Sequence, residues 1–126
     1  FYVEECEISP SQVVVLPNPV RVPGELPARD DRSNVQFLHL GRLGERKGTY
    51  DLLNAFGGLP AALRERSRLV LAGDGDVEGV RKLASDIGDN VEVYSWIDTV
   101  ERDRLLGQSD VFVLPSRAEG VPMALL

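Results

Sequence analysis

Cysteine and long apolar runs are both scarce in this 126-residue sequence. Its one cysteine, Cys6, cannot form a disulfide within the chain and is too few for a thiolate metal cluster, which favours a reducing compartment. The apolar runs, such as Val13 to Pro17, are far shorter than the roughly 20 residues that cross a bilayer. These absences exclude a disulfide-linked scaffold and a membrane-spanning segment.

Positive charge is also scarce, because 14 Lys and Arg residues stand against 20 Asp and Glu residues, giving a formal net charge of −6. Nucleic acid binding normally needs a basic face that displaces counterions, so the sequence predicts no general binding to nucleic acid. Any phosphate site must be a local group of cations. The composition, 43% hydrophobic and 27% charged, is typical of a globular protein of about one domain.

The two ends of the sequence are unlike natural termini. The chain starts at Phe1, and its last six residues, from Val121, are all apolar and include the single methionine, Met123. Natural termini tend to be polar and loosely held. We therefore expect residues 1–126 to be one domain taken from a longer protein.

Short apolar segments closed by Gly, Pro or Ser alternate with helical patterns along the chain. Apolar runs of this length, with little polar alternation, are typical of strands in a parallel sheet that is covered on both faces. The predicted fold is a doubly wound, mostly parallel, Rossmann-like α/β domain. Strands are predicted at Val13–Leu16, Val35–Leu40, Leu69–Ala72, Val91–Tyr94 and Asp110–Leu114.

The helices are predicted from apolar residues spaced for one face. Asp98 and Glu101 have the spacing of a capping box, so a helix should begin there and end near Gly107. The other helices are predicted at Thr49–Phe56, Ala61–Glu65 and Val77–Ile87. Ligands of such folds bind in the loops that follow the strands.

The loop after the second predicted strand, from Gly41 to Gly48, carries three cations ahead of a helix start. Arg42 could grip two oxygens at once while Lys47 acts as a point charge, a division suited to a diphosphate. The alternative is that these cations are solvated charges on a loop. Their position directly after a strand favours the phosphate interpretation.

The loop after the third predicted strand, from Gly73 to Gly79, gives weaker signals. Its glycine spacing and acidic side chains do not suit a dinucleotide. Asp74 and Asp76 have the spacing of some metal-binding motifs, but helix caps are the favoured interpretation, and we predict no metal. His39, the single histidine, is predicted to be a buried strand residue rather than a catalytic base.

Two further loops hold candidate ligand contacts. Trp96 could cover a base or ribose, or it could pack at the edge of the core. Glu119 could accept hydrogen bonds from sugar hydroxyls beside Gly120, which permits close backbone approach, or it could cap a helix.

Four motifs in chain order carry a family resemblance: Val14–Val20, Gly41–Leu43 with Lys47–Gly48, Leu71–Gly75, and Asp110–Ser116 leading to Glu119–Gly120. Together they resemble the C-terminal, nucleotide-sugar-binding half of retaining GT-B glycosyltransferases of group 1 (family 4), which use UDP- or GDP-activated sugars. The resemblance implies a full-length enzyme that transfers sugar to a glycan or lipid-linked acceptor, which would be bound by a separate N-terminal half. It also implies a cytoplasmic location, at the inner face of a membrane.

The resemblance implies roles for particular residues. Arg42 and Lys47 would bind the donor diphosphate and stabilise the departing nucleotide, and Glu119 would contact the transferred sugar. No metal or cofactor is implied beyond the donor itself. Further donor contacts would come from Gly41, Gly73, Trp96, Ile97, Gly120, Val121, Pro122 and Met123.

One element of the family pattern is missing, because a second glutamate would fall at position 127, so these residues alone should have little transfer activity. Two other interpretations stay open. One is a non-catalytic α/β module that binds a nucleotide or a protein, and the other is a nucleotide-sugar epimerase.

Overall fold

The computed structural model describes residues 33–119 together with residues 5, 8–14, 16, 19, 122 and 124. Within these residues, short 3₁₀ turns lie at Pro10–Gln12 and Glu45–Lys47. The helices are α1 (Thr49–Gly57), α2 (Ala61–Arg64), α3 (Val77–Ile87) and α4 (Thr99–Gln108). The strands are β1 (Val35–Leu40), β2 (Ser67–Ala72), β3 (Val91–Tyr94) and β4 (Val111–Phe112).

The strands form one parallel sheet in the order β3-β2-β1-β4. β1 pairs with β2 along its whole length, and its Phe37 lies opposite Val111 of β4 on the other side. The chain adds strands outward as far as β3 and then returns to the free side of β1, so the strand order reverses between β1 and β4. Ligands of open α/β sheets bind at the carboxyl ends of the strands at such a point.

Helices cover both faces of the sheet, as the sequence predicts. On one face, Leu53 of α1 and Val80 of α3 are fully buried against Leu69 and Leu71 of β2. On the other face of the sheet, strand residues pack against Leu105 of α4 in a second cluster. The buried strand residues of this cluster are Leu38, Leu40, Val70 and Ala72.

Acidic caps begin the two longest helices of the described region. The Asp76 carboxylate accepts a hydrogen bond from the Gly79 N–H at 3.1 Å, and Asp98 accepts one from the Glu101 N–H at 2.8 Å. Such a bond satisfies a backbone donor that has no partner within the helix. The predicted helix start at Asp98 and the capping role of Asp76 are both confirmed.

Two strand predictions are corrected. Val13, Val14 and Leu16 lie outside any strand and are 42%, 76% and 82% exposed. An apolar run forms a strand only where a neighbouring strand pairs with it, and no strand in the described chain pairs with these three residues. The strand predicted at Asp110–Leu114 is reduced to Val111–Phe112. Beyond it the Val113 N–H still donates to Leu38 O at 2.8 Å, but regular pairing has ended.

Candidate functional site

The loops after β1 and β2 are bonded to each other at the carboxyl edge of the sheet. The Leu43 N–H donates to Asp74 O at 2.6 Å, and the Asp76 N–H donates back to Leu43 O at 3.0 Å. Gly73, with φ +155°, approaches so closely that a Cβ there would lie 1.9 Å from Gly41 O. The structure thus brings the predicted site residues Gly41 and Gly73 together, and the absence of a side chain at Gly73 makes the approach possible.

The cationic loop after β1 is seated on the segment that follows β4. The Thr49 hydroxyl, fully buried, accepts a hydrogen bond from the Gly44 N–H at 3.0 Å and so closes the loop. Gly48 has left-handed backbone (φ +69°), and a Cβ there would lie 2.1 Å from Pro115 O. The close contact between Gly48 and Pro115 fixes the position of Lys47, the residue before Gly48, relative to the segment that follows β4.

Lys47 and Glu119 meet across the point where the strand order reverses. The Lys47 ammonium donates a hydrogen bond to Glu119 Oε1, and the two side chains are 18% and 21% exposed. The backbone supports this contact, because the Arg117 N–H donates to Arg46 O at 3.1 Å. Lys47 also holds the pKa of the Glu119 carboxyl below its ordinary range. Two residues predicted to act on one ligand are therefore neighbours.

Arg42 belongs to the same loop as Lys47, and its charge is unengaged. Its side chain is exposed, and within the described residues it has no hydrogen-bond or ion-pair partner. Its Cγ lies over Gly75, where a Cβ would come within 3.0 Å of it. A guanidinium placed in this way can offer two parallel N–H donors to an oxyanion.

The predicted residues after β3 lie further away, because β2 separates β3 from β1. Trp96 is 75% exposed, which argues against core packing as its role. Ile97 is partly buried in the cluster around Leu105. Among the last predicted residues, Pro122 is partly buried, and Gly120, Val121 and Met123 lie outside the described residues.

His39 has a structural position that the sequence indicated only in part. It is fully buried in β1, as predicted, and its Nδ1–H donates to Val113 O at 3.0 Å. Burial lowers the pKa of the imidazole below its ordinary value, so the ring is neutral near pH 7. His39 thus joins β1 to the chain leading to Glu119. A polar residue within an otherwise apolar strand was the available signal for such a contact.

Two more contacts beside the site were not expected from the sequence. The Tyr50 hydroxyl donates a hydrogen bond to the Asp76 carboxylate, which ties α1 to the start of α3 and lowers the pKa of Asp76. Arg117 pairs with Asp51 at 3.0 Å, and both side chains are more than half exposed. Each contact joins residues far apart in the sequence, so local patterns carry no signal for them.

Within the described region, no three His, Cys, Asp or Glu side chains come together as metal ligands would. This observation does not test the prediction that the site works without a metal, which stays a prediction. None of the helices described is long and apolar enough to cross a membrane.

Comparison with known proteins identifies the family. The model of the family described as "Glycosyl transferases group 1" matches residues 28–126. The chain belongs to the group 1 glycosyltransferases. The predicted membership of the group 1 glycosyltransferases is thus confirmed.

The relatives of this group 1 glycosyltransferase chain are longer proteins. It is 32% identical over 80 residues to the GDP-mannose-dependent monoacylated alpha-(1-6)-phosphatidylinositol monomannoside mannosyltransferase of Corynebacterium glutamicum, covering 63% of this chain and 21% of that protein. The chain therefore spans about a fifth of that curated relative.

Two solved structures resemble the fold. WaaG, a glycosyltransferase involved in lipopolysaccharide biosynthesis, matches with TM-score 0.61 and 25% identity over 71% of this chain and 24% of its own. The apo form of the lipopolysaccharide outer core galactosyltransferase WaaB matches with TM-score 0.69 and 23% identity over 98% of this chain and 36% of its own. The predicted Rossmann-like α/β fold, of the kind found in GT-B glycosyltransferases, is confirmed.

Proposed function

We propose that this domain binds the nucleoside diphosphate-sugar donor of a retaining glycosyltransferase whose acceptor is a glycan or a lipid-linked molecule. The observation that carries the proposal is the meeting of Lys47 and Glu119 across the crevice between β1 and β4, with the unengaged Arg42 in the same loop as Lys47. The crevice thus offers cations for a diphosphate and a carboxylate for sugar hydroxyls.

The chemistry of transfer suits fixed cations. When the bond between sugar and diphosphate breaks, negative charge grows on the departing diphosphate. Arg42 can hold two of its oxygens and Lys47 can add a point charge without rearranging. One preorganised donor of this kind is typically worth about 2.7–4 kcal/mol of barrier. No metal is needed for this step, so the proposed reaction is metal-independent.

The remaining contacts complete the donor site in this proposal. Backbone groups of Gly41 and Gly73 would line the phosphate end, and residues 120–123 would add contacts beyond Glu119. The loop of Trp96 and Ile97 would lie on the nucleobase side. The C. glutamicum relative is named as GDP-mannose-dependent, so we take GDP-mannose as the first donor to test and a UDP-sugar as the second.

A separate N-terminal half would bind the acceptor, and the enzyme would act in the cytoplasm at the inner face of a membrane. An enzyme that moves sugar onto lipid-linked acceptors needs access to both the dissolved donor and the membrane surface. These statements extend the proposal to the whole protein.

Calorimetry with GDP, GDP-mannose, UDP and UDP-glucose tests the donor site. We expect one nucleotide family to bind and Arg42→Ala or Lys47→Ala to weaken its binding at least about tenfold, the effect of losing one charged hydrogen bond of roughly 1.5–3 kcal/mol. Lys82→Ala, which removes an exposed lysine on α3, is the matched control and should bind as the unchanged protein does. Circular dichroism establishes that each variant is folded.

The proposal is wrong if the folded protein binds none of the four nucleotides, or if Arg42→Ala and Lys47→Ala bind as tightly as Lys82→Ala. If binding is established, transfer of labelled sugar by the full-length enzyme tests the reaction itself.

A further inference from the structure

The ion pair between Lys47 and Glu119 is the most enclosed of those in the described part of the chain. Its side chains are 18% and 21% exposed, whereas Arg117 and Asp51 are 62% and 57% exposed. A partly buried pair is less screened by water and salt than a fully exposed one. The close contact of Gly48 with Pro115 and the backbone bond between Arg117 and Arg46 hold the two segments together.

Because of this contact, Glu119 and a bound diphosphate would compete for the Lys47 ammonium. Lys47 has three N–H donors, so its ammonium could in principle contact both groups. Phosphate oxygens that reached it would then lie close to the Glu119 carboxylate, and two like charges at short range repel each other. A bare nucleoside diphosphate must therefore displace Glu119 from Lys47 and break their ion pair.

A nucleoside diphosphate that carries a sugar avoids this loss. Sugar hydroxyls can donate to the Glu119 carboxylate when Lys47 turns to the phosphates, and a hydrogen bond to a charged acceptor is among the stronger ones. The exchange thus leaves both members of the pair with partners. The sugar thus compensates Glu119 for the loss of Lys47.

We propose that Glu119 is an internal competitor for Lys47 that makes the site select nucleoside diphosphate-sugars over the bare nucleoside diphosphate. The inference rests on the proposed donor site and adds a selectivity that the site would otherwise lack. After transfer, the diphosphate loses its sugar and Glu119 reclaims Lys47, which favours release of the nucleotide product.

Glu119→Gln tests this competition, because it removes the charge and keeps the shape and a carbonyl acceptor. The probes are GDP and GDP-mannose, or UDP and UDP-glucose if the unchanged protein prefers them, and the measurement is Kd by calorimetry. We expect the bare diphosphate to bind about two- to fivefold more tightly to the variant, the range that a partly exposed ion pair contributes. The preference for the sugar-bearing nucleotide should shrink.

Asp51→Asn is the matched control, because it removes one negative charge from the same region by breaking the pair with Arg117 and no contact with Lys47. It should leave both affinities unchanged, which separates a specific effect from a change in net charge.

Three results would overturn the inference. If the unchanged protein binds the diphosphate and Glu119→Gln binds it equally or more weakly, Glu119 does not compete, while the donor site itself stands. If Asp51→Asn tightens binding as much, the effect is one of net charge. If no nucleotide binds to the folded protein, the proposed function fails and the inference fails with it.

Discussion

Replacing Gly73 with alanine tests the close approach of the loops after β1 and β2. The new Cβ would lie 1.9 Å from Gly41 O, well over an ångström inside van der Waals contact, and its neighbour is backbone that cannot rotate away. Backbone at φ +155° also strains any residue with a side chain, at a cost of about 1–3 kcal/mol. Overpacking adds about 1–3 kcal/mol. We therefore expect Gly73→Ala to lower the free energy of unfolding by about 2–6 kcal/mol.

Gly41→Ala is a closely matched control, because Gly41 has nearly the same φ, +151°, and an added Cβ would have nothing within 4 Å. It should carry the backbone strain alone, about 1–3 kcal/mol. Urea unfolding followed by circular dichroism measures both variants. Equal free energies of unfolding for Gly73→Ala and Gly41→Ala would refute the argument, since the contact between the loops would then contribute nothing.

Two other predictions concern the core beside the site. Leu53→Ala, at a fully buried position of α1, should lower the free energy of unfolding by about 2–5 kcal/mol, whereas Leu63→Ala, at a position 56% exposed on α2, should cost much less in the same urea titration. Because burial lowers the pKa of His39 below 6.5, the unfolded chain binds its proton first, so stability should fall as the pH drops below about 6.5 and level off below the folded pKa. His39→Asn should flatten this slope between about pH 7.5 and 5.5, and an unchanged slope would assign it to other groups.

Local sequence patterns predicted the strand bounds correctly where a neighbouring strand pairs with the apolar run. The bounds of β1 and β3 agree with prediction, because each apolar run has a neighbouring strand to pair with and ends where the chain turns. Val13, Val14 and Leu16 carry the same apolar signal and lie in no strand, because pairing depends on a neighbouring strand as well as on the apolar run. The sequence thus indicates which segments can form strands, but not which of them pair with a neighbouring strand.

The candidate site shows the same limit: its residue types could be predicted from the sequence, but their contacts could not. Arg42, Lys47 and Glu119 were recognisable as chemical groups from the sequence, yet the contact between Lys47 and Glu119 joins residues 72 positions apart. It depends on β4 returning to the free side of β1, which no local pattern encodes. The hydrogen bond from His39 to Val113 depends on the same strand order.

The local placement of cations also explains how an acidic chain can suit a small anion. At physiological ionic strength, exposed charges act over about 8–10 Å. A diphosphate at the crevice is therefore governed by Arg42 and Lys47 more than by the net charge of −6. A long polyanion would extend beyond the crevice and meet the acidic remainder of the surface. The same arrangement thus favours a nucleotide-sized ligand over nucleic acid, and in our proposal Glu119 would narrow the choice to a nucleotide that carries a sugar.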